Sequence, residues 1–242
     1  MLHPPPRDVL RTELMDQRDT PPAELAGTLG DIARLNRLGA THSILHFLAR
    51  LAAGHRARRP LRVLDVGTGG ADIPLAVARW GRRRGRPVRI TALDIHPEIL
   101  RYAARAVRGA PEVRVVAADA LAPPIRPGAV DVALCSLVLH HLPEDAVIAL
   151  LRRLAEIARL GFVVSDLHRS RVAWAAVWLA TRAVSRNRLT RHDGPLSVRR
   201  AYTRRELIEL AGRAGLPDLA WRRAPAFRVV GVWRRWPVPE SP

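Results

Sequence analysis

The stretch Val63-Leu64-Asp65-Val66-Gly67-Thr68-Gly69-Gly70-Ala71-Asp72 constrains the fold more than any other, because it sets a glycine-rich turn where a buried strand hands over to a helix. A short run that is apolar on both faces needs cover on both faces, which is the situation of an interior strand in a parallel sheet. Glycines at such a turn allow left-handed backbone and let the main chain approach a ligand closely.

The same rhythm repeats downstream. It predicts strands at Leu61–Val66, Val88–Leu93, Val113–Ala117, Val130–Leu134 and Leu160–Ser165, and helices at Ala71–Trp80, Pro97–Val107 and Glu144–Ala158. Strands alternating with helices at this spacing argue for βαβ units. Thr203–Ala214 reads as a further helix, with Thr203 as N-cap, Glu206 completing a capping box and Gly215 ending it. Leu219–Arg223 and Phe227–Trp233 then read as an antiparallel hairpin closing the sheet.

Outside this core, residues 1–28, with prolines at 4–6 and 21–22, read as a flexible N-terminal arm. Residues 29–242 form one domain in this reading. Within it, 29–58 is a helical cap, with a break between helices at His42-Ser43, and 168–200 is a lid insertion. The chain has 40 basic and 22 acidic residues, a formal charge of +18, and no Lys at all. Such a charge raises nucleic acid or an anionic membrane as partners. Abundant Ala, Pro and Arg without Lys is also what GC-rich coding yields, so the charge is read as a solvated Arg-rich surface, and nucleic acid is not expected. The one cysteine, Cys135, cannot form an internal disulfide, and the start of the chain lacks a secretory apolar stretch. Both point to the cytoplasm.

Acids close three successive strands: Asp65, Asp94 and Asp119. A carboxylate at Asp65 suits a cofactor carrying positive charge and an amino group, and repels a pyrophosphate. Asp94 follows Gly69 by about 25 residues, close to the distance at which an acid reaches ribose hydroxyls in doubly wound nucleotide sites, dehydrogenases included. The bland alternative is that these acids cap the following helices.

Together these residues resemble the class I S-adenosylmethionine-dependent methyltransferase superfamily, in order from Val63 to Asp166. The resemblance implies an α/β fold with a seven-stranded doubly wound, Rossmann-like sheet, an N-terminal helical cap and a helical lid insertion. It implies S-adenosylmethionine as cofactor, with the methionine part over Asp65, Gly67 and Gly69, the ribose at Asp94, and the adenine at Asp119 with Ile95 as an apolar wall; Thr68, Ala120 and Ser136 join them as cofactor-binding residues. Ala71 departs from the pattern, standing where many members have a further glycine. The chain looks most like ubiquinone/menaquinone-type and bacterial polyketide-associated small-molecule methyltransferases, through Leu35-Asn36-Arg37, Val138-Leu139-His140-His141-Leu142, Asp166-Leu167-His168-Arg169-Ser170 and Arg191-His192-Asp193-Gly194-Pro195. That likeness implies O- or C-methylation of a small aromatic, polyketide or quinol-type acceptor in secondary metabolism.

An imidazole has a pKa suited to taking a phenolic proton, so His192 and His141 are the candidate bases. A purely structural role stays open for His140 and His141, as does a loop-anchoring role for His192-Asp193. Metal-ligand spacing is not evident. The apolar run Val172–Val184, with Trp174 and Trp178, is too short to span a bilayer. Lid packing, an acceptor pocket and peripheral membrane contact are its three readings. Rival functions are an RNA or protein methyltransferase using the basic surface, and a non-catalytic cofactor-binding module.

Overall fold

The computed structural model describes residues 4–17, 19–55 and 59–235. Its strands are β1 (Leu61–Val66), β2 (Val88–Asp94), β3 (Val113–Ala117), β4 (Val130–Ser136), β5 (Ala158–Leu167), β6 (Ala220–Ala224) and β7 (Arg228–Arg234). They form one sheet in the order β3-β2-β1-β4-β5-β7-β6. β1 pairs in parallel with β2 and β4, and β7 runs antiparallel to both β5 and β6. Successive strands are added leftward from β1 to β3 and then rightward from β4, and this switch in strand order between β1 and β4 opens a crevice at the carboxyl ends of these strands, where ligands of open α/β sheets bind.

The apolar character of the strands follows from cover on both faces. Leu64, Val66 and Leu93 pack against Leu150, Leu151 and Leu154 of α5 (Glu144–Ile157) and Leu207 and Leu210 of α8 (Arg204–Arg213). Leu61, Val63 and Ile90 pack on the other side against Ile44 and Leu48 of α2 (Ala40–Leu51), Val77 of α3 (Asp72–Arg83) and Ala103 of α4 (Pro97–Ala106). At α8 the Thr203–Glu206 capping box forms in both directions.

Three segments depart from the sequence reading. Helix α1 (Pro22–Asn36) starts inside the stretch read as an arm, with proline at its first position, where a missing N–H costs nothing. Leu25 and Leu29 of α1 are buried against Ile99 of α4. Residues further upstream are also tied down: Arg7 donates to the carbonyls of Arg200 and Leu142 at 2.6 and 2.9 Å, and Glu13 is 1% exposed. Residues 1–3 lie outside the described part. The break between α1 and α2 falls at Gly39 rather than at His42-Ser43, because only glycine suits its φ of +145° and a Cβ there would lie 2.6 Å from Pro225.

The insertion folds into α6 (Arg171–Val184) and α7 (Arg188–Arg200). Ser170 and Asn187 cap them, accepting hydrogen bonds from Ala173 N–H and Leu189 N–H. α7 runs straight through Arg191–Pro195. Gly194 is where the two helices touch, since a Cβ there would lie 2.7 Å from the Thr181 methyl. Among the described residues no helix is long and apolar enough to cross a membrane.

Candidate active site at the carboxyl ends of the strands

A cavity of about 660 Å³ lies over the crevice between β1 and β4, within the size range of small-molecule sites. Asp65, Gly67, Thr68, Gly69, Asp94, Ile95, Asp119, Ala120 and Ser136 all line it. The glycine turn is built by left-handed backbone at Gly67 (φ +65°) and Gly69 (φ +52°). A side chain at Gly67 would place its Cβ 2.4 Å from a Val138 methyl. Ala71 adopts φ +61° itself, at a cost of roughly 1–2 kcal/mol, so the turn keeps its path without the further glycine.

Asp65 is 2% exposed and accepts a hydrogen bond from Thr68 Oγ1 at 2.7 Å. Burial pushes its carboxyl up to about 7, with Asp72 and Asp94 adding to the push against the Thr68 bond. Asp94 stabilises the turn: Oδ2 accepts from Gly69 N–H and Oδ1 from His96 N–H, both at 3.0 Å. Each oxygen keeps a second lone pair for a ligand. Asp119 is exposed, accepts from Leu121 N–H at 2.9 Å, and Ile95 is 69% exposed beside it. Ser136 Oγ is buried without a partner among the described residues.

A second group lies on another wall of the same cavity, on a short 3₁₀ turn at Leu139–His141. His140 is buried and its Nδ1–H donates to Asp166 Oδ1 at 2.6 Å. His141 Nδ1–H donates to Asp16 Oδ2 at 2.9 Å. Burial pulls the His141 imidazole down, but the Asp16 bond and the charge of Glu13 outweigh it and raise it to about 9. Burial also works against the Asp166 carboxylate, and its bond and charge contact with His140 hold it below the ordinary value instead. Glu13 completes the group: Oε1 lies 3.5 Å from His140 Nε2 and Oε2 lies 3.9 Å from His141 Nε2.

His192 is not brought to this cavity, which corrects the sequence reading. Its side chain is 46% exposed and donates from Nδ1 to Asp193 Oδ1 at 2.8 Å. The next residue faces inward: Asp193 is buried and accepts from the N–H groups of Leu14 and Met15 at 2.9 and 3.0 Å. It thereby caps the turn Leu14–Asp16 and seats Glu13.

Sequence reasoning missed Glu13 and Arg228. Glu13 sits in a stretch whose prolines hide its burial, and Arg228 is one arginine among many. Arg228 is buried on the cavity, donates from Nη2 to Asn36 Oδ1 at 2.5 Å, and its Nη1 has no partner among the described residues. Helix α6 turns Ala176, Val177 and Ala180 to the cavity and leaves Val172, Trp174, Trp178 and Leu179 exposed on its outer side.

Residues 63–161 match the family model described as a methyltransferase domain. Over 130 residues the chain is 31% identical to the ubiquinone biosynthesis O-methyltransferase of Xanthomonas campestris pv. campestris, covering 52% of this chain and 51% of that protein. Over this central part the chain is similar to methyltransferase domains. It spans about half the length of the curated relatives it matches. Among solved structures, a methyltransferase from Aquifex aeolicus described as S-adenosylmethionine-dependent superposes with a TM-score of 0.60 at 18% identity, covering 89% of this chain and 99% of that one. Human N-acetylserotonin methyltransferase superposes with a TM-score of 0.62 at 16% identity, covering 89% and 56%. At these identities the likenesses show a shared fold over 89% of this chain.

Proposed function

We propose that the chain transfers a methyl group from S-adenosylmethionine to a small aromatic, polyketide or quinol-type acceptor, at oxygen or carbon. One observation carries the reading: three strand-end carboxylates and a glycine turn share a single cavity with an apolar helical lid. Asp65 is a buried carboxylate that meets no cationic side chain within salt-bridge distance among the described residues, so it suits a ligand that brings its own positive charge. Asp94 offers acceptors for ribose hydroxyls, Asp119, Ala120 and Ile95 a polar and apolar surround for adenine, and the free Arg228 Nη1 a partner for a carboxylate. Gly67, Thr68, Gly69 and Ser136 would lie along the remaining length.

Bound there, S-adenosylmethionine supplies an activated methyl group on a sulfonium sulfur. The chain's own contribution is to align the acceptor with that methyl, to exclude water with α6 and α7, and to remove a proton from an acceptor hydroxyl. Proton removal is assigned to the group formed by Glu13, His140 and His141, not to His192. The name of the Xanthomonas relatives, an O-methyltransferase of ubiquinone biosynthesis, supports a phenol-type acceptor. The exposed Val172, Trp174, Trp178 and Leu179, beside Arg171 and Arg182, support entry of a lipophilic acceptor from an anionic membrane surface. The buried free thiol of Cys135 supports a reducing, cytoplasmic setting.

The test is methyl transfer from labelled S-adenosylmethionine to a panel of phenols, quinols and aromatic polyketides, read by mass spectrometry. One added methyl on a panel member, with turnover retained in His192→Ala, is expected. Label appearing only on RNA or protein, or cofactor binding with no transfer to anything, refutes it.

A further inference from the structure

We propose that Glu13, His140 and His141 bind one divalent transition-metal ion of the zinc type in the cavity wall, where it receives the acceptor's oxygen. The first support is the orientation of the two imidazoles. Each has its Nδ1–H tied to a carboxylate, His140 to Asp166 at 2.6 Å and His141 to Asp16 at 2.9 Å. That arrangement spends Nδ1 of each ring on a carboxylate, as in metal-ligating histidines, and turns Nε2 away from it, where an ion binds in exchange for a proton.

Both Nε2 atoms then point at the same carboxylate. The separations, 3.5 Å to Glu13 Oε1 and 3.9 Å to Glu13 Oε2, are too long for hydrogen bonds. Positive charge between two ring nitrogens and a carboxylate is favourable, and it comes either from protons on the imidazoles or from an ion that displaces them. One ligating atom from each of the three side chains lies within 4.8 Å of the others. Ligands about 2.0–2.2 Å from a tetrahedral ion stand roughly 3.3–3.6 Å apart, so the group closes on an ion with modest side-chain adjustment. Arg200 is the competing cation. Its Nε lies 3.8 Å from Glu13 Oε1, while its two Nη atoms donate to the carbonyls of Arg11 and His141; Oε1 also accepts from Ser197 Oγ at 2.9 Å, so Oε2 is the oxygen offered to an ion.

Two imidazoles and one carboxylate select zinc-type ions over magnesium or calcium, which prefer all-oxygen sets. Three protein ligands leave a coordination position open, and here it faces the cavity. The acceptor role rests on the methyl-transfer reading above. An acceptor hydroxyl at that position is acidified: its O–H bond breaks and the proton passes to solvent. The oxygen–methyl bond forms as the methyl–sulfur bond breaks, and the sulfur keeps the electron pair.

The test uses the full chain stripped with chelator and dialysed against Zn(II) or Co(II), with metal content by elemental analysis and Co(II) visible absorption as a second readout. One ion per chain is expected, with affinity reduced at least tenfold in Glu13→Gln and in His141→Gln, and no competition from excess Mg(II). S-adenosylmethionine binding in the same samples reports that the variants are folded. No ion in the wild type, or undiminished affinity in both folded variants, overturns the site. Ion uptake with no methyl transfer to any acceptor overturns the acceptor role and leaves the site standing. Methyl transfer at the full rate by the ion-free protein overturns the acceptor role and leaves the transferase reading intact.

Discussion

Replacing Asp65 by Asn stabilises the ligand-free protein while weakening its hold on S-adenosylmethionine, and the two effects share one cause. Burial raises the Asp65 carboxyl from 3.8 to about 7, about three units, or roughly 4 kcal/mol at 1.36 kcal/mol per unit. A group whose folded pKa lies above its unfolded value binds its proton more tightly in the folded state. Its contribution is therefore fully present below about pH 4 and is lost as pH rises to about 7. At pH 8 the wild type carries the whole cost of a buried, ionised carboxylate, and Asp65→Asn does not. Subtracting roughly 1 kcal/mol for an amide hydrogen left without an acceptor leaves about 3 kcal/mol, a rise in Tm on the order of 6–12 °C for a chain of this size. Urea unfolding from pH 4.5 to 8.5 reads it directly: wild-type stability includes a component falling by up to ~1.4 kcal/mol per pH unit that levels off above pH 7, and Asp65→Asn lacks it. Cofactor affinity should rise with pH over the same range, by at most about tenfold per unit below 7, in the wild type only. Superimposable pH profiles for the two proteins would refute the assignment of an unpaired buried carboxylate to this position.

Other perturbations separate the parts of the site. Gly67→Ala, whose Cβ would sit 2.4 Å from Val138 on left-handed backbone, should cost about 2–4 kcal/mol; Gly69→Ala, with only Leu29 at 3.8 Å, should cost about 1–2 kcal/mol, both read by chemical unfolding. Asp193→Ala strips the acceptor from the Leu14 and Met15 N–H groups and should open the segment around Glu13 to limited proteolysis while α8 stays protected; equal protection in both proteins contradicts the anchoring role. Trp174→Ser with Trp178→Ser should reduce flotation with anionic vesicles severalfold without changing S-adenosylmethionine affinity, and unchanged flotation removes the membrane contact.

The sheet was legible because its interior strands must be apolar on both faces, so β1 to β5 stand out as short runs, and the three strand-end acids follow from their position in those runs. What escaped was set by tertiary contact. Glu13 lies in a proline-bearing stretch with no periodic pattern, and only the cap from Asp193 makes it part of the site. The Gly194-Pro195 pair reads as punctuation in sequence, yet Gly194 is where α7 meets Thr181 of α6. His192 and Asp193 are adjacent in the chain, but neighbouring residues on a helix diverge by about 100°, so one faces solvent and the other the interior. His140 and His141 were visible as residues and invisible as a pair, since their convergence depends on Asp16, Asp166 and Glu13 arriving from distant segments.

The most direct test of the account is calorimetric titration of the full chain with S-adenosylmethionine and, separately, with NAD. It predicts one S-adenosylmethionine per chain, weakened at least tenfold by Asp65→Asn at pH 8, and no heat from NAD. Absence of S-adenosylmethionine binding, or saturable binding of NAD in its place, contradicts it.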